Sequence, residues 1–327
     1  MKSYKNLFER IVAFDNLLLA AQRSQRGKRF RNEVLKFNYD LEKELLLLQT
    51  ELIAGTYQPG QYRTFYVYEP KCRLIAAAPY RDRVVHHAIC NILVPYWDRA
   101  MIPDNYACRV GKGSHRAIAR FHYFAKKYPY VLKCDIRKFY DSIDHRILQE
   151  ILFKHIPEIR VRALLTKIIN CAGRTGGLPI GNLTSQWFAN LYLTGSDWFA
   201  VRQLKAGGYV RYMDDFACFA RTKQELHFVR RRLCEYLAGI RLAFAPGKCN
   251  LYRTADGVNF LGFRIFPTHR RLLKHNVHRL KRRLRCFSRR LRQNEITLAD
   301  IRCSLMSWLG HAQAGNARSL ATALFCG

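Results

Sequence analysis

A chain of 327 residues with 49% hydrophobic content can bury a sizeable core and divide into two or three subdomains. Its 56 Lys+Arg against 24 Asp+Glu give a formal net charge of +32, a self-repelling excess that no ordinary metabolic enzyme needs and that points to a polyanionic partner. Nucleic acid fits better than membrane, since no stretch approaches the ~20 continuous apolar residues of a transmembrane span, and the 13% aromatic content supplies rings for base stacking.

The amino terminus, Met1 to Asn6, leads into a short apolar stretch broken by Glu9, Arg10 and Asp15, which does not read as a signal peptide and predicts a cytoplasmic protein. Eleven cysteines without a Cys-x-x-Cys pair argue against a disulfide framework and a zinc site, so most are expected to be small core residues, Cys134 and Cys218 included. Leucine and isoleucine spacing predicts helices over 7–21 and 41–54. Residues 64–68 and 73–77 read as strands of a basic hairpin joined by Glu69-Pro70-Lys71-Cys72. A helix over 81–100 is followed by a loop around Gly111-Lys112-Gly113-Ser114-His115. A buried strand over 130–136 precedes a helix over 144–153, and a long helix over 182–199 follows Leu178-Pro179-Ile180-Gly181. Strands over 209–211 and 216–220 flank Tyr212-Met213-Asp214-Asp215, and 223–238 is helical, so the middle of the chain is mixed α/β. From Gly257 to Asn294 there is no acidic residue, while Val277, Leu280, Leu284, Phe287 and Leu291 recur at helical steps. That is one apolar stripe on an otherwise cationic helix, fit either to track phosphates or to serve as a solvated face.

The chemistry concentrates in carboxylates. Asp214 and Asp215 are adjacent charges between apolar runs, which cost several kcal/mol to bury unless a cation neutralises them. They read as a metal-holding hairpin tip or, more plainly, as a surface turn. Asp135 closes the apolar run Leu132-Lys133-Cys134-Asp135, either as a third metal ligand or as a helix N-cap. Two-metal phosphoryl transfer needs carboxylates from neighbouring strands that hold two cations about 3.5–4 Å apart.

Four blocks in order, Tyr68 through Ile75, Asp135 through Tyr140, Leu178 through Gln186 and Tyr212 through Asp215, make the chain resemble the reverse transcriptases from about residue 62 to 262. The resemblance implies an α/β (α+β) right-hand polymerase. An N-terminal helical extension (1–60) would precede fingers (61–130, with 150–185 contributing), a palm with an antiparallel sheet (131–262) and a short basic helical thumb (263–327). It implies an RNA-directed DNA polymerase using two magnesium ions, or manganese, held by Asp135, the Ile136 carbonyl, Asp214 and Asp215. Lys71 and Arg73 would grip the incoming deoxynucleoside triphosphate, and Tyr140 would exclude a ribose 2′-hydroxyl. Ile180, Gly181 and Gln186 would line the nucleotide pocket. Lys248 would protonate the departing pyrophosphate as a catalytic acid, and Phe260-Leu261-Gly262 would form the primer grip. Template RNA and cDNA phosphates would meet Arg279, Arg282, Arg283, Arg285 and Arg289.

Where most relatives of bacterial introns carry Gln-Gly and Ser-Pro in the third block, this chain has Ile180-Gly181 and Ser185-Gln186. That form resembles the reverse transcriptases of diversity-generating retroelements, as do Tyr106-Ala107-Cys108-Arg109, Asn259 through Gly262 and the closing Ser307 through Ala312. Such enzymes, bacterial or phage-encoded, copy a template-repeat RNA with errors at adenine for mutagenic retrohoming. They work with a small basic, oligomeric accessory protein, the accessory variability determinant, and without a membrane. Its contact is expected at scarce acids such as Glu44, Glu51, Glu150 and Glu158. A retron or group II intron-type enzyme, and a non-catalytic RNA-binding scaffold on the same fold, are the alternatives at this level.

Overall fold

The computed structural model describes residues 6–68, 72–154, 156–171 and 176–315. Helices α1 (Leu7–Val12), α2 (Phe14–Ser24), α3 (Asn32–Tyr39) and α4 (Leu41–Ala54) lead to strands β1 (Arg63–Val67) and β2 (Arg73–Ala77). Next come α5 (Tyr80–Ala100), α6 (Ser114–Lys127), β3 (Tyr130–Ile136), α7 (Phe139–Ser142), α8 (His145–Phe153), α9 (Ile159–Asn170) and α10 (Leu183–Tyr192). Helix α11 (Thr194–Trp198) runs into a π-helical turn at Phe199–Gln203, followed by β4 (Gly208–Tyr212), β5 (Asp215–Ala220), α12 (Lys223–Gly239) and β6 (Phe244–Arg253). Strands β7 (Val258–Phe260), β8 (Phe263–Ile265) and β9 (Arg270–Leu272) precede α13 (Lys274–Arg292) and α14 (Leu298–Ala312). No helix of the described residues is long and apolar enough to cross a membrane.

The chain groups into two compact units, each assembled from three segments. The first comprises 1–102, 136–198 and 235–243, and is built around α5, whose buried face of Val84, Val85, Ala88 and Ile89 meets Leu17, Ala20 and Ala21 of α2. The single helix expected over 7–21 is broken at Ala13, which takes an extended ψ of 136°, and the Asn16 side chain donates 2.9 Å to the Ile11 carbonyl left open by the break. The helix expected over 182–199 likewise ends at Tyr192. Beyond it the Thr194 and Ser196 hydroxyls bond back to the carbonyls of Asn190 and Leu193, competing with the regular ladder before the π turn.

The second unit comprises 103–135, 199–234 and 244–327. Its sheet has the order β4-β5-β3-β6, with β4–β5 and β3–β5 antiparallel. Phe121 and Phe124 of α6 pack under it against Phe219 of β5, and Phe121 stacks on Phe260 of β7 at 4.7 Å, so one apolar cluster joins this sheet to β7-β8-β9. Strands β8 and β9 lie where a purely helical segment was expected from residue 263; three-residue strands are too short to show a period of two. On α13 the expected stripe is real: Leu280 is buried, Val277, Leu284, Phe287 and Leu291 are half-buried, and Arg282, Arg283, Arg285 and Arg289 are exposed, with Arg279 intermediate. The cysteines differ from expectation. Among those described only Cys90, Cys134 and Cys218 are buried, whereas Cys72, Cys108, Cys234, Cys286 and Cys303 are exposed, because they fall outside the apolar faces of their segments.

Candidate active site

Strand β3 alternates Lys133 and Asp135 on one face with Leu132, Cys134 and Ile136 on the other, so its polar residues point together. Asp135 stands directly opposite Asp215 in the β3–β5 register, and Asp215 is in turn opposite Tyr212 on β4. The last rung of the sheet therefore carries two carboxylates side by side, with Cβ atoms about 4.5–5.5 Å apart by strand geometry. Met213 and Asp214 form the two-residue turn between β4 and β5, and Met213 has φ 57°, a left-handed conformation that costs a non-glycine residue about 1–2 kcal/mol.

Each carboxylate of the rung holds a lysine. The Lys248 ammonium donates 2.6 Å to Asp135 Oδ2, and Lys133 lies 3.2 Å from Asp215 Oδ1. Asp215 Oδ1 is buried and lacks a hydrogen bond in good geometry. Burial pushes the Asp215 carboxyl up to about 6; the Lys133 charge opposes this, and the neighbouring Asp214 and Asp135 charges add to it. Among the described residues no three His, Cys, Asp or Glu side chains form a ready metal cage. The donor set nevertheless fits magnesium. All its atoms are oxygens, two carboxylates share a rung, and cationic ammonium groups already sit against both acids.

Lys248 lies on β6, an edge strand, where Pro246 is tolerated and Gly247, at φ 70°, marks a local kink. The Ile136 carbonyl belongs to the end of β3, and its side chain is buried. Phe260 and Phe263 pair across a hairpin whose two loop residues, Leu261 (φ 45°) and Gly262 (φ 88°), both take positive φ, as a type I′ turn requires. The Gly262 carbonyl accepts from the Leu273 N–H and from Asn276 Nδ2, and a Cβ on Gly262 would lie 3.0 Å from His311 of α14. The closing block of the sequence thus packs on the expected primer-grip turn.

The nucleotide-pocket candidates fall in the first unit. The Tyr140 carbonyl accepts 2.8 Å from the Leu178 N–H, and the Ile180 carbonyl accepts 2.9 Å from the Ala76 N–H of β2. Two blocks far apart in sequence are thereby sewn to the β1–β2 hairpin. Gly181 (φ 130°) lies where a Cβ would come 3.1 Å from the Ala76 carbonyl and from Ile75 Cγ2. Gln186 is half-buried on α10, and Arg73 is exposed at the start of β2. Lys71 lies outside the described residues.

Two charged residues escaped the sequence reading. Lys133 was legible, since strand alternation puts it on the face of Asp135. Arg211 was not: it precedes the carboxylate turn yet is fully buried, which composition would assign to a surface strand. Of the acids expected to meet a partner, Glu51 pairs with Arg81 at 2.6 Å with its side chain 40% exposed, whereas the Glu158 carboxylate is engaged by the N–H groups of Leu7 and Phe8 at the start of α1.

A profile of the reverse transcriptase (RNA-dependent DNA polymerase) family matches residues 68–265, more than half of the chain. The chain belongs to the reverse transcriptase family. This reverse transcriptase is 24% identical over 273 residues to Protein YkfC of Escherichia coli (strain K12), covering 69% of its own length and 72% of that protein. It is 23% identical over 175 residues to the Group II intron-encoded protein LtrA of Lactococcus lactis subsp. cremoris, covering 50% of its own length and 29% of LtrA. The fold is similar to that of apo telomerase from Candida tropicalis, with TM-score 0.50 and 11% identity over 64% of this chain and 48% of that one. Membership of that family makes this an RNA-directed DNA polymerase, and the likeness to telomerase bears on the fold alone.

Proposed function

We propose that this reverse transcriptase makes error-prone cDNA from a template-repeat RNA for a diversity-generating retroelement. Asp135, Asp214 and Asp215, with the Ile136 carbonyl, are the groups that would hold two magnesium ions. When bound, the ions neutralise the triphosphate and make the primer 3′-hydroxyl a better nucleophile. The observation that carries the site is the Asp135–Asp215 rung with a lysine on each acid. Lys248 releases Asp135 and gives its proton to the departing pyrophosphate, a general-acid role suited to an exposed ammonium on an edge strand. Lys71 and Arg73 bind phosphate oxygens, the lysine as a point charge and the arginine as a planar fork. The Tyr140 ring rejects a ribose 2′-hydroxyl by bulk, and the Phe260-Leu261-Gly262 turn supports the primer strand. In these roles β1–β2 serves as fingers, the β4-β5-β3-β6 sheet as palm and α13–α14 as a thumb that tracks phosphates.

The finer assignment rests on the third block. Ile180 fills space where a glutamine could hydrogen-bond the nucleotide, so geometric discrimination weakens. A group II intron-type enzyme is the competing reading, favoured by the likeness to LtrA. Sequencing cDNA made on an adenine-containing template by wild type and Ile180→Gln separates them. Substitutions concentrated at adenine, and reduced several-fold by the change, are expected. An even, low error rate in wild type would support the intron-type reading. A basic accessory protein remains part of the proposal, with Glu44, Glu51 and Glu150 as the acids left for it.

A further inference from the structure

Among the described residues Arg211 is the largest fully buried side chain, at 0% exposure. It stands opposite Phe216, which in turn faces Cys134, so it lies among buried apolar residues on the face of the sheet opposite to the one that carries Asp135 and Asp215. A guanidinium placed there must be held by hydrogen bonds, since it cannot shed its charge. Its Nη1 donates 3.1 Å to the Met213 carbonyl, reaching the carboxylate turn from beneath. Its backbone is fixed as well: the Arg211 N–H donates 3.0 Å to the Asp104 carbonyl, and its own carbonyl accepts 3.0 Å from the Tyr106 N–H. A rigid strand thus presents a rigid donor to the one residue of the turn, Met213, whose φ of 57° is unfavourable for its type.

We propose that Arg211 is a positioning residue of the polymerase reaction. By gripping the Met213 carbonyl it holds the left-handed turn that aims Asp214 and Asp215, and so sets how well those carboxylates take magnesium. The inference rests on reading Asp214 as a magnesium-holding carboxylate. Lysine at 211 keeps the charge but loses the fork and shortens the reach, while asparagine at 213 favours left-handed backbone on its own.

The test uses the full chain in primer extension on an RNA template, with magnesium titrated and RNA binding and melting followed in parallel. Arg211→Lys is expected to fold and bind RNA, to lose about tenfold or more in kcat and to need several-fold more magnesium at half-saturation, with the nucleotide KM little changed. In a Met213→Asn background the same change should cost less, because the turn no longer depends on Arg211. A folded Arg211→Lys with the wild-type kcat and magnesium midpoint overturns the proposal. So does an equal loss in both backgrounds without a change in midpoint. Should Arg211→Lys not fold, Met213→Val decides: a β-branched residue resists φ 57°, so with Arg211 in place it strains the turn and must raise the magnesium midpoint, and an unchanged midpoint overturns the proposal. Full activity in Asp214→Asn would instead show that the carboxylate reading has failed.

Discussion

His86 lies in the middle of α5 at 1% exposure, with no hydrogen bond to either ring nitrogen. Burial first, then the charges of His87 and Arg83, push its pKa down to about 3. The folded state therefore keeps it neutral while the unfolded chain protonates it near 6.5. Stability from this group is complete above about pH 6.5 and is lost as pH falls from there towards 3, amounting to about 2 kcal/mol by pH 5. Urea unfolding at pH 7 and pH 5 should show this loss, and His86→Leu should reduce it. An equal acid loss in the variant would place the titration elsewhere. At the same scale, the pairing of Lys248 with Asp135 and of Lys133 with Asp215 shows why the acids can sit side by side at all. Each is a cation's width from a positive charge, so the rung stays close to neutral.

Among the elements, the strongest constraint is backbone to backbone. The bond from the Ala76 N–H to the Ile180 carbonyl, with Gly181 packed on Ile75 and Ala76, fixes the β1–β2 hairpin to the segment before α10. A methyl at 181 meets backbone, which cannot yield, and sits on a disfavoured φ, so Gly181→Ala should cost about 1–3 kcal/mol and weaken nucleotide binding. Thermal melting together with the nucleotide KM measures both effects, and wild-type values for the two would contradict the assigned contact. These elements also show what the sequence could and could not reveal. β3 and the two carboxylate-hairpin strands were legible because continuous apolar runs mark buried strands, and the exposed β1 and β2 because two short runs flank a turn. Helices α6 and α9 were not singled out although Ala117, Ile118, Phe121, Phe124 and Ala125, and Val161, Leu164, Leu165, Ile168 and Ile169, fall at helical spacing; α3 buries only Val34 and Phe37, and β7 to β9 are too short to carry a pattern. The breaks at Ala13 and Leu193 arise from side-chain bonds of Asn16, Thr194 and Ser196 that no periodicity records. At the site, the three acids were legible as charges stranded in apolar runs. Arg211 was not, because β4 is buried on both faces, which a charged residue in its sequence does not announce.

For the whole molecule the governing quantity is charge. A net +32 is concentrated in segments such as α13, whose arginines line up on the faces left over by one apolar stripe. If Arg282, Arg285 and Arg289 contact phosphates, replacing all three by alanine should reduce the slope of log K against log salt for single-stranded RNA by about 2, at roughly 0.7 per contact. An unchanged slope would assign those arginines to solvent. Binding, however, does not make a polymerase. The catalytic assignment turns on the acids of the sheet's last rung and its turn, which must be dispensable for RNA binding and indispensable for synthesis. The decisive measurement is primer extension with magnesium on an RNA template by wild type, Asp135→Asn and Asp214→Asn, with RNA affinity determined on the same preparations. Robust extension by wild type and a fall of at least about a thousandfold in both variants, at unchanged RNA affinity, is the expected result. Extension by either variant at close to the wild-type rate would contradict the assignment.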